Sequence, residues 1–161
     1  ADGTLNTEQM QEMMEAAGSC AVTMHRAFDV CADPFEALKK SAELGVDAIL
    51  TSGQEADCLA GYGLLKKLMQ LTDQSRSDSY RETILAGAGV TSANIAEIAK
   101  KTGVRAFHMS GKRLLESGMR YRNERVHMGL GSLSEFECYH TDEAEIRRAA
   151  EILRTLGEDG R

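Results

Sequence analysis

Residues 45–53, GVDAILTSG, return in altered form at 103–111 as GVRAFHMSG, and this recurrence decides the fold class. Gly, Val, Ala, Ser and Gly recur in register. Each copy follows an amphipathic segment, PFEALKKSAEL before the first and SANIAEIAKKT before the second. A glycine there ends a helix in a left-handed cap, and the apolar residues after it form a buried strand. Ser-Gly then takes the chain out of the sheet. A helix feeding a buried strand twice over means βα units, with parallel strands covered by helices.

The flanking sequence extends this alternation. A helix is expected over about residues 6–17, capped by Asn6 or Thr7 and stopped by Gly18, with Met10, Met13, Met14 and Ala17 on one face. A strand at 21–28 leads through CADP to a helix from Pro34 to Leu44, where Asp33 caps. The segment 55–71 reads as a helix interrupted at Gly61 and Gly63, and TDQSRSDS at 72–79 as a polar loop open to proteolysis. ETILAGA, 82–88, is a further strand. SANIAEIAKKT is the helix before VRAFHMS, the last strand. Residues 112–140 are polar and irregular, and a final helix runs from about Asp142 to Leu156.

With no Gly-x-Gly-x-x-Gly, the pattern favours a TIM (β/α)8-type barrel over a doubly wound sheet. Such a barrel needs roughly 250 residues, and the chain has 161. The expectation is one α/β unit over residues 1–161 holding about the last four βα units. Either the first four strands are missing or two copies pair to close the barrel, so a homo-oligomer is expected.

The gross chemistry excludes other classes. Lys and Arg number 19 against 25 Asp and Glu, for a formal charge of −6, and aromatics make up 5%. No basic stripe marks a nucleic-acid partner. No apolar run near 18 residues marks a membrane span, and no signal peptide opens the chain. Cys20, Cys31, Cys58 and Cys138 form no C-x-x-C pair, so they read as reduced thiols and the chain as cytoplasmic. The methionines at 10, 13 and 14 fit core packing, although thioethers also suit Cu(I).

VTMHRAFDVCADPFEAL, ILTSGQEADCLAGYGLLKKL, ILAGAGVTSANIAEI, AFHMSGKRLLESGMRYRN and SEFECYHTDEAEI resemble, in order, the C-terminal part of the CutC family. The resemblance runs from about Ala1 to Leu156 and implies a cytosolic TIM barrel linked to copper homeostasis, with strands one to four absent. It implies Cu(I) as a possible ligand and brings no assigned reaction. Cysteines proposed as copper ligands in some members fall in the absent strands, so they do not map onto the four cysteines here.

Candidate chemistry gathers at the C-terminal ends of the strands. Alternation along 21–28 turns Val22, Met24 and Phe28 toward helices and Thr23, His25, Ala27 and Asp29 inward, with Arg26 pairing an acid on the outer side. In the last strand Ala106, His108 and Ser110 face inward, Phe107 and Met109 outward. His25 with Asp29 could serve as general acid and base, and His25 with His108 could bind a metal. A second candidate is anionic. AGAGVTSAN leads to a helix capped by Thr91 or Ser92, and Ser110, Gly111, Lys112 and Arg113 follow the last strand. Together with Ser52, Gly53, Gly87 and Gly89 they make a site for a small phosphorylated ligand. Tight βα turns explain the same glycines without a ligand. Cys31, Cys58 and Met109 lie near these loops, but Cys58 is expected within a helix. His127, Met128, Cys138 and His140 are scattered.

Overall fold

The computed structural model describes residues 2–74, 83–129 and 134–159. Helix α1 is Thr7–Ala17, followed by strand β1, Thr23–Met24, and a 3-10 turn, Arg26–Val30. Then come α2 (Pro34–Leu44), β2 (Ala48–Thr51), α3 (Tyr62–Gln74), β3 (Thr83–Ala86), α4 (Ile95–Thr102) and β4 (Ala106–Phe107). Strands β5 (Lys112–Glu116) and β6 (Glu137–Thr141) precede α5 (Glu143–Asp159).

Local chemistry explains the helices. The Asn6 side chain accepts from the Gln9 amide and caps α1. Asp33 accepts from the amides of Phe35 and Glu36, and Pro34 opens α2 where its missing N–H costs nothing. Gly45 and Gly103 end α2 and α4 at φ of 81° and 80°, the left-handed region a side chain disfavours. Val46 and Val104 behind them are buried. The repeat therefore does what its sequence implies, twice.

Strands β1 to β4 form one parallel sheet in that order. Ile49 and Ile84 turn to one face and pack with Leu38 of α2, Leu65 and Leu68 of α3, and Ile95 and Ile98 of α4. Ala48, Leu50 and Leu85 on the opposite face are half-buried.

The expectation of a TIM-type barrel is corrected. Among the described residues β1 and β4 are the two ends of a four-stranded sheet, and β5 and β6 form a separate antiparallel pair. Four strands spaced about 4.8 Å apart leave two edges rather than a closed ring. The irregular reading of 112–140 is corrected too. The hairpin strands escaped notice because they bury no face: of their residues only Leu115 is even half-buried. Strand 21–28 shrinks to Thr23–Met24 before the chain turns into the 3-10 segment, which buries Phe28 completely. Helix α3 begins at Tyr62, not near Glu55, and continues through Gln74 into the expected polar loop. The rest of that loop, 75–79, lies outside the described residues.

The late start of α3 has a steric cause. Gly53, at φ 77°, and Gly61 bring their backbones together, and a Cβ at Gly61 would overlap the Ser52 carbonyl oxygen. Gly61→Ala is therefore expected to destabilise the protein by about 3 kcal/mol, lowering Tm by about 6–12 °C. Gly63→Ala places its Cβ where no atom lies within 4 Å, and is expected to be neutral or to stabilise by up to about 1 kcal/mol. Calorimetric melts of the two variants check the contrast.

Candidate functional site

The site is built around Asp29, on the 3-10 turn after β1. Its side chain is 6% exposed and accepts hydrogen bonds from the Thr51 hydroxyl, the Ser52 amide at 3.1 Å, the Ser52 hydroxyl at 3.0 Å and the Gln54 amide at 3.2 Å. Arg26 Nε donates to it at 2.6 Å. Burial alone would raise the carboxyl's pKa, but the bonds from Thr51, Arg26, Ser52 and Gln54 outweigh it and hold the group below its ordinary value. Asp29 is thus a fixed carboxylate with its oxygens committed, not a base waiting for a proton.

That carboxylate aims Arg26. The guanidinium also donates to the Ser52 hydroxyl at 2.7 Å and the Glu55 carbonyl at 3.3 Å, which hangs it over the end of β2. Its partner acid is Asp29 of its own turn, and the side chain lines a cavity of about 680 Å³ at the C-terminal end of the sheet. Leu50, His108, Met109 and the loops after β3 and β4 complete the lining. In parallel sheets this end is where the loops and helix starts gather.

Both loops bring backbone donors to this cavity. Among the described residues, no acceptor meets the amides of Ala88, Gly89, Val90, Ser110 or Gly111. Ala88 sits at φ 70° and Gly89 at φ 74°. For alanine that conformation costs on the order of 1–3 kcal/mol, and the tertiary structure holds it: the Ala88 carbonyl accepts from the Cys58 amide and the Asn94 side chain donates to Gly89. Gln54, at φ 62°, is a second non-glycine residue in this region, held by Asp29 and donating to the Cys31 carbonyl.

One wall comes from the start of α5. The Asp142 amide donates to the Gly111 carbonyl at 2.7 Å, and Ile146 packs against Gly111. Glu145 accepts from the Ser92 amide at 2.6 Å and the Ser92 hydroxyl at 2.7 Å, with Arg148 at 2.9 Å. The two Ser92 bonds, and then Arg148, lower the Glu145 carboxyl below its ordinary value.

The expected site residues divide. Gly89, His108, Ser110 and Gly111 line this cavity. Asp29 and Ser52 stand behind Arg26, and Gly53 lies buried against Gly61. Gly87 is packed on Leu50, where a Cβ would press on that side chain. His25 turns away. Its Nδ1 accepts from the Ala27 amide at 2.9 Å, capping the 3-10 turn, and it lines a separate apolar cavity of about 450 Å³ with Met10, Met13, Met14 and Cys31. Thr91 and Ser92 do not cap α4 by side chain; Asn94 occupies that position. Met109 lines the cavity beside His108 instead of facing away, Lys112 lines it as well, and Arg113 lies outside it.

The copper-binding expectation is corrected. Among the described residues no group of three or more His, Cys, Asp and Glu side chains could hold a metal ion. His25 and His108 line different cavities. Burial raises the thiol pKa of Cys31 and of Cys58. Cys58 lies in a buried turn ahead of α3, not within a helix. Cys138 and His140 are exposed on β6, and His127 and Met128 are exposed between the hairpin strands.

Sequence reasoning missed Asp142 and Glu145 as cavity residues and took Arg26 for an outer structural partner. Arg26 and Asp29, three apart on a turn, were the available signal. For Glu145 there was none, because its partner Ser92 is 53 residues away.

The sequence model of the CutC family matches residues 1–113. A family protein CutC of Parabacteroides distasonis is 43% identical over 147 residues, covering 91% of this chain and 58% of that relative. One of Bacteroides fragilis is 45% identical over 155 residues, covering 96% and 59%. One of Salmonella agona is 40% identical over 153 residues, covering 94% and 58%. The chain thus spans under two-thirds of the length of these curated relatives.

The Asp29 network predicts a pH dependence. A carboxyl depressed in the folded state contributes stability that is present above its unfolded pKa and lost as pH falls through the lower folded value. Asp29→Asn is expected to cost about 3 kcal/mol at neutral pH, with the deficit shrinking below about pH 4 as the wild type loses its charge. Urea unfolding of both proteins from pH 7 to pH 2.5 checks it; a deficit that is unchanged across that range contradicts the assignment.

Proposed function

The chain belongs to the CutC family, and from that premise we propose that the cavity at the C-terminal end of its sheet binds a small anionic metabolite, with a phosphate group as its recognised part. The observation that carries this reading is that one cavity is lined by residues 88–90 and 110–111, whose amides meet no acceptor among the described residues, together with the aimed guanidinium of Arg26. Backbone amides in a left-handed turn make a concave cradle for anions. A guanidinium fixed by other groups loses little freedom when it binds.

Lys112 adds a second cation at the rim, with its ammonium 4.0 Å from the centre of the Tyr139 ring. His108 is the lining group suited to exchanging a proton with a bound ligand. Asp29 acts through Arg26 as a positioning residue. Copper has no part in this reading.

Titration of the 161-residue chain with inorganic phosphate, followed by amide NMR, tests the proposal. Saturable shifts at residues 88–90 and 110–111 are expected, and Arg26→Gln should weaken binding about tenfold. Arg26→Lys, which keeps the charge but not the fork, should fall between. Absence of saturation, or shifts confined to other surfaces, overturns it.

A further inference from the structure

Among the described residues, β5 and β6 form a two-stranded ribbon that packs on itself. Their ladder pairs Lys112 with Thr141, Arg113 with His140, Leu114 with Tyr139, Leu115 with Cys138 and Glu116 with Glu137. No other described element packs on β5 to a comparable extent. Every residue of the two strands except Leu115 is exposed, Leu114 at 46% and Tyr139 at 50%. A two-stranded hairpin is marginal in water by itself, and further strands or a packed face are what stabilise one.

The ladder fixes which backbone groups are spare. Ser117 donates its amide to the Phe136 carbonyl, and Asp142 donates to the Gly111 carbonyl. Alternation along an antiparallel ladder then turns the backbone groups of Arg113 and Leu115 toward β6, and those of Lys112, Leu114 and Glu116 outward. Among the described residues, no backbone group outside the ladder meets these three. A free edge of this kind is a template for another strand.

The edge strand reads Lys-Arg-Leu-Leu-Glu, and its charges fit a second copy of itself. Turned about a two-fold axis at Leu114, Lys112 comes opposite Glu116 of the partner subunit, and Leu114 opposite Leu114 of the partner subunit. Glu116 then meets Lys112 of the partner subunit. The residues matched in this register are the same three whose backbone groups point outward.

From the free edge of β5 and its self-complementary charges, we infer that two copies of the chain associate by antiparallel pairing of β5 with β5. The product is a four-stranded sheet in the order β6–β5–β5–β6. One face of it carries Leu114 and Tyr139 of both copies in a continuous apolar row. Glu116 faces the like charge of Glu137 across its own hairpin, and pairing gives it a cation on the other side. Arg122 occupies Glu116 Oε1 at 2.7 Å and leaves Oε2 for that cation. Opposite charges across strands stabilise a sheet and like charges destabilise it. The contact is isologous and closes at two copies. It leaves the parallel sheet open and does not depend on the anion reading.

Sedimentation velocity over a concentration series tests the pairing, using the wild-type chain, Lys112→Glu, Glu116→Lys and the double variant. Both positions are exposed, and far-UV circular dichroism checks that each variant keeps its fold. The wild type is expected to dimerise. Each single variant sets like charges opposite each other twice in the dimer, and should weaken association about tenfold or more. The double variant should restore it. An equimolar mixture of the two single variants should dimerise where neither does alone, because each then meets the opposite charge. Hydrogen exchange needs no variant: on dilution, the amides of Lys112, Leu114 and Glu116 should lose protection while those of Arg113 and Leu115 keep theirs. A chain that stays monomeric up to about 1 mM overturns the inference, as does a dimer that both single variants retain. Failure of the mixture to associate, or exchange at 112, 114 and 116 that ignores dilution, overturns the β5–β5 register.

Discussion

Everything at the C-terminal end of the sheet depends on one buried carboxylate. Asp29 collects donors from Thr51, Ser52 and Gln54, residues more than twenty positions away, together with Arg26 of its own turn. Left without partners, a carboxylate at that depth would be strongly destabilising. With them it fastens the turn after β1 to the end of β2. The same bonds hold Gln54 in a left-handed conformation and seat Ser52–Gly53 where Gly61 can pass close by. The start of α3 and the aim of Arg26 both follow from that arrangement.

This explains why β1 is so short. A longer strand would carry residue 29 up and away from the sheet edge, whereas the 3-10 turn brings it back over β2 and buries Phe28 in the same movement. Apolar burial and satisfaction of the carboxylate act together here. The cost appears in the two non-glycine residues with positive φ among the described residues, Gln54 and Ala88, both in loops at this end. Strain of that kind persists only where surrounding contacts enforce it.

The cavity joins groups far apart in the chain: a turn after the first strand, two βα loops, and the start of α5. Its acidic wall arrives by way of the β5–β6 hairpin, which carries the chain from the end of β4 to the start of α5. The hairpin buries almost nothing of itself. Its structural effect is to deliver Asp142 to Gly111 and Glu145 to Ser92.

The βα character of residues 34–111 was legible because its signals are local. Asp33 and Pro34 open a helix, Gly45 and Gly103 close two, and the alternation in AILT and TILA separates buried from half-buried positions within a few residues. The glycine loops were legible for the same reason, since Gly89 and Gly111 lie a few residues past the ends of β3 and β4. By itself the sequence determined the caps of α1 and α2, the glycine stops of α2 and α4, the parallel units and the family, all written in short-range spacing or in matching segments. Only the tertiary structure decided where β1 stops, that the four-stranded sheet stays open, that His25 turns away from His108, and that Glu145 faces the cavity. The end of β1 and the placing of Glu145 rest on contacts closing loops of 23 to 53 residues, and no periodicity or capping rule encodes which distant side chain will meet a given donor.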